Sequence, residues 1–366
     1  ILVFSICIVY LYVIQLNLHS QISNSENENQ IIIGRLDSLH STILNETRKI
    51  WIYVPESAKE SNFAPTNYPV LYLLDGETYF HSVTGLVKFL SYENNNTLCP
   101  EMIVVGVINT DRIRDLTPTR FIEYASDSTS GGGAKFISFI EGELIPYIDE
   151  NYPSTNFRTL IGHSLGGLSA IQVLLNKPNI FNNYIAIDPS MQWDNQVLVH
   201  QGDSILRSVR FDKQSLYIGL ANNSMIEDIE LEEIRNDSIP TTVILRSTLQ
   251  FLSSIETNAR NGLKYEWKYY SKDDHQSVVL IAAYDALRYL FNFHKLNSND
   301  LYAMLFSEES TPEDQLNYIT AHYNKVSEHL GYQVYAPERL VDAIAHALLD
   351  YGMQEVAFAY FQLNTR

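Results

Sequence analysis

Cysteine is almost missing from this 366-residue chain, which has only Cys7 and Cys99. Two thiols cannot build a disulfide framework or a cysteine metal site, so the fold must rest on its apolar core. Basic residues are also scarce, at 25 Lys and Arg against 43 acidic residues, for a net charge of -18. No Lys/Arg-rich tract offsets that field, which repels a polyanion and excludes nucleic acid as a natural partner. The glycine-rich stretch Ser130 to Gly133 lacks the Lys-Ser/Thr of a phosphate loop, so it reads as a flexible loop and not as a nucleotide site. Charge is absent altogether from the first 14 residues, "ILVFSICIVYLYVI". A bilayer span needs about 20 apolar residues, so residues 1–22 are expected to be a signal-peptide core or the remnant of a membrane anchor. No A-x-A-like cleavage site follows, and Ile6 before Cys7 disfavours a lipoprotein signal; cleaved and anchored forms both stand.

The remainder is globular in composition and long enough for one large domain with an appendage. Ile31 to Val54 alternates as two strands, and continuous apolar runs follow at Pro69 to Gly76, Met102 to Asn109, Arg158 to Gly162, Asn183 to Ser190, Ser215 to Ala221 and Lys264 to Ser271. Helical spacing fills the gaps at Tyr79 to Leu90, Ala134 to Asp149, Leu165 to Leu175, Thr241 to Asn261 and Val278 to Phe293. This alternation predicts an α/β fold over residues 30–295, with a mostly parallel sheet covered by helices on both faces. Beyond His294 no strand pattern recurs. Leu316, Ile319, Tyr323, Val326 and Leu330 are spaced for a helix ended by Gly331; a second helix carries Leu340, Val341, Ile344 and Leu348, and a third starts at Met353. Residues 310–366 therefore read as a helical extension, either one tetratricopeptide-like unit offering a protein contact or a plain cap on the sheet.

One constellation carries chemistry. Gly162-His163-Ser164-Leu165-Gly166 matches G-x-S-x-G between a strand and a helix, the setting in which a sharp turn presents a serine hydroxyl as a nucleophile. Such a hydroxyl needs a base, and His275 sits after the last strand and before the last helix of the domain, where that base belongs. His81, His200, His294 and His322 lie at less suitable places, and His163 is read as a wall or packing residue. The oxyanion would be met by the N–H of Leu165 and by the loop at Gly76. The acid is the weak member, because Asn222 and Asn223 follow the strand where an acid is expected. Asp228 is taken as the third member, with Glu227 or a Ser-His dyad as the alternatives. Arg112 and Arg114 are candidates to hold a carboxylate or catecholate, or else pair internally with Asp111 and Asp115. Trp193 is a candidate to stack on substrate, or else a half-buried wall residue. The chemistry requires no metal or organic cofactor.

The pieces "LYLLDGETYF", "IVVGVINTDRIRDLTPT", "GGGAKFISFIEGELIPYIDENYP", "LIGHSLGGLSAI", "DPSMQWDN" and "DDHQSVV" occur in that order over two thirds of the chain. In this the chain resembles the esterase family of α/β-hydrolases that includes enterobactin (enterochelin) esterases and esterase D-like enzymes. The resemblance implies an α/β-hydrolase fold and serine-dependent ester hydrolysis with Ser164 as nucleophile and His275 as base. It also implies substrate-facing loops at Arg112 to Asp115 and at Trp193-Asp194, and resembles exported bacterial esterases in having a leader and a helical C-terminus. Acyl transfer on the same fold and a non-catalytic binding scaffold are the alternatives.

Overall fold

The computed structural model describes residues 30–363 apart from 60–65, 92–96, 123–128, 224–230 and 308. The apolar leader expected over 1–22 and the acids Glu227 and Asp228 lie outside these residues. Among the described residues, eight strands form one sheet in the order β1-β2-β4-β3-β5-β6-β7-β8. They are β1 (Arg35–Ser41), β2 (Glu46–Tyr53), β3 (Tyr68–Leu73), β4 (Ile103–Val107), β5 (Ser154–His163), β6 (Asn183–Ile187), β7 (Ser215–Ala221) and β8 (Lys264–Tyr270). Pairing is antiparallel for β1 with β2 and for β2 with β4, and parallel from β4 through β8. This is the α/β-hydrolase sheet expected from the sequence.

The strands are continuous apolar runs because both faces are covered. Val70 and Tyr72 of β3 enter one apolar cluster and Leu71 and Leu73 the other, as the two-residue period of a strand requires. The first cluster is roofed by helices that include α3 (Gly133–Phe139), α4 (Ile145–Asn151), α5 (Leu165–Asn176), α6 (Trp193–Ser208) and α8 (Val243–Thr257). The second lies under α1 (Gly76–Ser91) and α9 (Val278–Leu290). Two short helices, α2 (Arg112–Leu116) and α7 (Leu231–Asn236), lie between these elements in the chain.

Chain order reverses beside β3: β4 pairs on one side of it and β5 on the other, after which β6, β7 and β8 follow outward. In an open α/β sheet the crevice beyond the carboxyl ends of the strands at such a reversal is where ligands bind. The loops leaving β3, β5, β6 and β8 all open toward this end.

Four helices follow the sheet: α10 (Ser298–Leu305), α11 (Pro312–Leu330), α12 (Glu338–Asp350) and α13 (Gln354–Leu363). Ile319, Tyr323 and Val326 of α11, Val341 and Ala345 of α12 and Tyr360 of α13 share one apolar cluster with Val83, Val87 and Leu90 of α1. Gly331 ends α11 with φ 76°. The helix α10 was not legible in the sequence because its buried apolar face is only Leu301 and Leu305, one i,i+4 pair. No described helix is long and apolar enough to cross a membrane.

Candidate active site

Ser164 stands at the joint between β5 and α5. Its backbone is held at φ 59° and ψ -117°, and its N–H donates to the Ile187 carbonyl on β6 (3.0 Å). So tight a turn leaves no room for a side chain at Gly162, where a Cβ would lie 2.3 Å from the carbonyl carbon and oxygen of Gly166. The order of glycines around the serine is thus a steric requirement of the turn.

His275 lies in the loop between β8 and α9, and its Nε2 is 3.0 Å from Ser164 Oγ across 111 residues of chain. Asp274 Oδ1 accepts from the N–H groups of Gln276 (2.9 Å) and Ser277 (2.8 Å), which shapes the loop. Asn222, at the end of β7, donates its backbone N–H to the Asp273 carbonyl (2.8 Å) and its side-chain amide to the Ser271 carbonyl (3.0 Å).

The acid beside His275 is Asp188, at the exit of β6. Its carboxylate is fully buried, and Oδ2 lies 2.5 Å from His275 Nδ1. The same oxygen accepts from Asn223 Nδ2 (2.8 Å), while Oδ1 accepts from the Ala221 N–H (3.1 Å). Asp228 and Glu227, the acids expected there, lie outside the described residues; the carboxylate that meets His275 Nδ1 is that of Asp188. The sequence places an acid after β7, whereas this one leaves β6, and the end of β7 with Asn223 beyond it supplies the groups that hold it. The available signal was "IAIDPS", where an acid directly ends the strand paired with the nucleophile's own. Asp188 also has a positive φ of 39°, as does Asp75 (55°) at the exit of β3, so backbone strain gathers at the ends of β3, β5 and β6.

Proton positions follow from these partners. Asp188 accepts the Nδ1 hydrogen, which leaves the Nε2 lone pair to accept from the serine hydroxyl. Ser190 Oγ lies 3.2 Å from Ser164 Oγ; since Ser164 has one hydrogen, directed at His275, Ser190 is the donor of that pair. His163 is buried, with Nδ1 2.9 Å from the Tyr79 hydroxyl and Nε2 2.7 Å from the His275 carbonyl oxygen. Burial, reinforced by the neighbouring His275, pushes its pKa down to about 4, so it is neutral near pH 7.

The remaining candidates divide. Leu165 opens α5 and Gly76 opens α1, so each has a first-turn N–H without an acceptor in its own helix. Gly76 packs so closely on β4 that a Cβ would lie 2.6 Å from the Gly106 backbone. Arg112 neither pairs with Asp111 nor stands free: it grips Asp75 with Nε (2.6 Å) and Nη2 (2.8 Å), and Nη2 lies 3.4 Å from the His163 carbonyl. It stays at the rim, with 36 % of its side chain exposed. Arg114 is bound to Glu46 (2.7 Å) and Asp115 (2.7 Å), which raise its pKa, and it braces β2 against α2 instead of facing a ligand. Of the two readings of Trp193, the wall residue agrees with the structure, in which it is buried at the start of a helix and not half-buried in a loop. Its ring meets Phe121 edge-on at 5.7 Å and its Nε1 donates to the Thr119 carbonyl (3.3 Å). It begins α6, whose helical pattern is hidden in sequence because Asp194, Asn195 and Gln196 adopt left-handed conformations before the regular turns start. The Ser130 to Gly133 stretch is pinned, with Gly131 N–H on Thr117 Oγ1 (2.8 Å) and Gly132 N–H on the Arg114 carbonyl (2.8 Å). Among the described residues no group of three or more His, Cys, Asp and Glu could hold a metal ion.

Residues 41–225 match the family described as "Putative esterase". The chain belongs to this esterase family. Ferri-bacillibactin esterase BesA of Bacillus subtilis is 28 % identical over 260 residues, covering 67 % of this chain and 86 % of the relative. The siderophore enterobactin esterase of Emericella nidulans is 27 % identical over 248 residues, 61 % of this chain and 82 % of the relative. Among solved structures, an IroE-like serine hydrolase from Shewanella oneidensis superposes with a TM-score of 0.73 at 28 % identity, covering 91 % of this esterase and 99 % of that chain. The esterase is a carboxylic ester hydrolase of the serine type. Nothing in these relatives supports acyl transfer or a non-catalytic scaffold.

Proposed function

We propose that Ser164 is the nucleophile, His275 the general base and Asp188 the acid that orients it, and that the substrate is a siderophore ester. The contiguous chain Ser164 Oγ to His275 Nε2 (3.0 Å), His275 Nδ1 to Asp188 Oδ2 (2.5 Å) carries the reading. Ser164 Oγ attacks the ester carbonyl as its proton passes to His275 Nε2, and the buried Asp188 carboxylate stabilises the imidazolium that forms. The tetrahedral oxyanion is received by the N–H of Leu165, with that of Gly76 as the second donor. Collapse expels the alcohol, which takes the proton back from His275. Water then attacks the acyl-enzyme as its proton passes to His275, and collapse breaks the acyl bond to Ser164 Oγ, which takes that proton back from His275 as the acid leaves.

The siderophore assignment draws on relatives named as ferri-bacillibactin and enterobactin esterases. Arg112 at the rim offers a guanidinium to an anionic acyl group such as a catecholate. Export, with membrane attachment through residues 1–22, and protein contact through the C-terminal helices are inferred from sequence pattern alone.

The test is labelling with a fluorophosphonate probe, followed by hydrolysis of a catecholate trilactone beside short p-nitrophenyl esters. Labelling of the wild type that disappears in Ser164→Ala is expected; labelling that survives the substitution would sink the nucleophile assignment. A trilactone rate no better than that of the short esters would reject the siderophore.

A further inference from the structure

His163 is a buried titratable residue that the proton transfers above do not use. It occupies the variable position before the nucleophile, yet both ring nitrogens are engaged. The Tyr79 hydroxyl is 2.9 Å from Nδ1, and the His275 carbonyl oxygen is 2.7 Å from Nε2. A carbonyl can only accept, so Nε2 carries the hydrogen, and in the neutral ring Nδ1 must then accept from the phenol. Burial raises the pKa of Tyr79, which keeps that phenol protonated as a donor. The chain therefore has one direction: Tyr79 O–H to His163 Nδ1, then His163 Nε2–H to the carbonyl of His275. The two imidazoles lie 4.4 Å apart between centroids, tilted by 45°.

The loop carrying His275 has few other ties to the serine. Asn222 holds Ser271 and Asp273 from the β7 side, and Asp274 caps the turn internally. Among the described residues, the bond from His163 is the one that joins the backbone of His275 itself to the turn that presents Ser164. A positive charge on His163 would oppose the imidazolium that must form 4.4 Å away, and burial prevents it.

We propose that Tyr79 and His163 are positioning residues, a tautomer-specific clamp that fixes the backbone of His275 against the nucleophile turn and so sets the distance from Ser164 Oγ to His275 Nε2. The clamp rests on the assignment of Ser164 and His275 made above. Loosening it should slow the chemical step while leaving substrate binding alone, because neither residue needs to touch the ester. A base displaced by about 1 Å can cost about 100-fold in rate.

The experiment measures kcat and KM on a p-nitrophenyl ester, with melting temperatures, for Tyr79→Phe, His163→Phe, His163→Gln, Ser164→Ala and the wild type. His163→Phe keeps the ring volume and removes both bonds; kcat should fall about 10-fold or more with KM changed less than about 2-fold. His163→Gln retains an N–H that can reach the same carbonyl, and should recover most of the lost kcat. Tyr79→Phe removes one hydroxyl, frees the tautomer, and should lower kcat about 3-fold or more. A folded His163→Phe with wild-type kcat, or a His163→Gln as slow as His163→Phe, would overturn the clamp and leave the Ser-His assignment intact. If His163→Phe does not fold, Tyr79→Phe decides, and a kcat within 2-fold of wild type overturns the proposal. Activity surviving in Ser164→Ala would overturn both readings.

Discussion

Replacing Asp188 by Asn tests the least expected member of the site. In the wild type both side-chain oxygens accept: Oδ2 from His275 Nδ1 (2.5 Å) and Asn223 Nδ2 (2.8 Å), and Oδ1 from the Ala221 N–H (3.1 Å). An amide keeps one acceptor and turns the other into a donor. Placed toward His275, the new NH2 forces the imidazole to accept at Nδ1 and carry its hydrogen on Nε2, facing Ser164, where it can no longer take a proton. Placed toward Ala221, it opposes a backbone N–H in a buried site. One donor is left unmatched either way, at about 1–3 kcal/mol of stability, and the catalytic loss is larger. The same neutralisation in a Ser-His-Asp triad costs about 10⁴-fold in kcat, or about 5 kcal/mol of transition-state stabilisation. We expect a 10³- to 10⁴-fold fall in kcat for Asp188→Asn on a p-nitrophenyl ester, with far-ultraviolet circular dichroism unchanged at 25 °C. Glu227→Gln and Asp228→Asn should stay within about 3-fold of wild type. A folded Asp188→Asn within about 10-fold of wild type would rule out Asp188 as the acid that orients His275, as would an Asp228→Asn that loses as much.

Two further outcomes follow from buried charge. His163 and His294 have pKa values lowered to about 4, chiefly by burial, against an ordinary 6.5. The unfolded chain therefore binds protons on both before the folded one does, and stability is lost as pH falls from about 6.5 toward 4, by at most about 3 kcal/mol per histidine. Urea midpoints at pH 7.5, 5.5 and 4.5 check this; a midpoint that is flat down to pH 5 would contradict it. Arg48 is wholly buried with its Nη1 2.5 Å from Asp115, itself almost inaccessible. Arg48→Ala leaves that buried carboxylate with Arg114 as its one remaining cation among the described residues and should cost up to about 3–5 kcal/mol in urea unfolding; a loss under about 1 kcal/mol would show that Arg114 alone neutralises Asp115.

Much of the esterase can be read along the chain, because the determining signals are local. The apolar runs of β3, β4 and β6 are continuous since those strands are buried on both faces. Ser164 is legible because a sharp strand-to-helix turn needs glycine at 162 and 166, and His275 because its place between β8 and α9 follows from the order of elements. The place of Trp193 at a helix start is not legible, because three left-handed residues hide the helix it begins. Asp188 is only partly legible: the strand end "IAID" offers an acid, but that β6 lies beside β5 and brings it to His275 is a matter of strand order, which no local pattern carries.

Read along the chain alone, the strands, the sharp turn that presents Ser164 and the place of His275 before α9 are all legible, because each depends on residues within one or two elements. The partners come from the folded chain: Asp188 with His275 across 87 residues, Tyr79 with His163 across 84, and Arg112 with Asp75 across 37. Hydrogen bonds of that range depend on which strand ends lie side by side. The reversal of strand order at β3 sets this, and no periodicity in the chain records it.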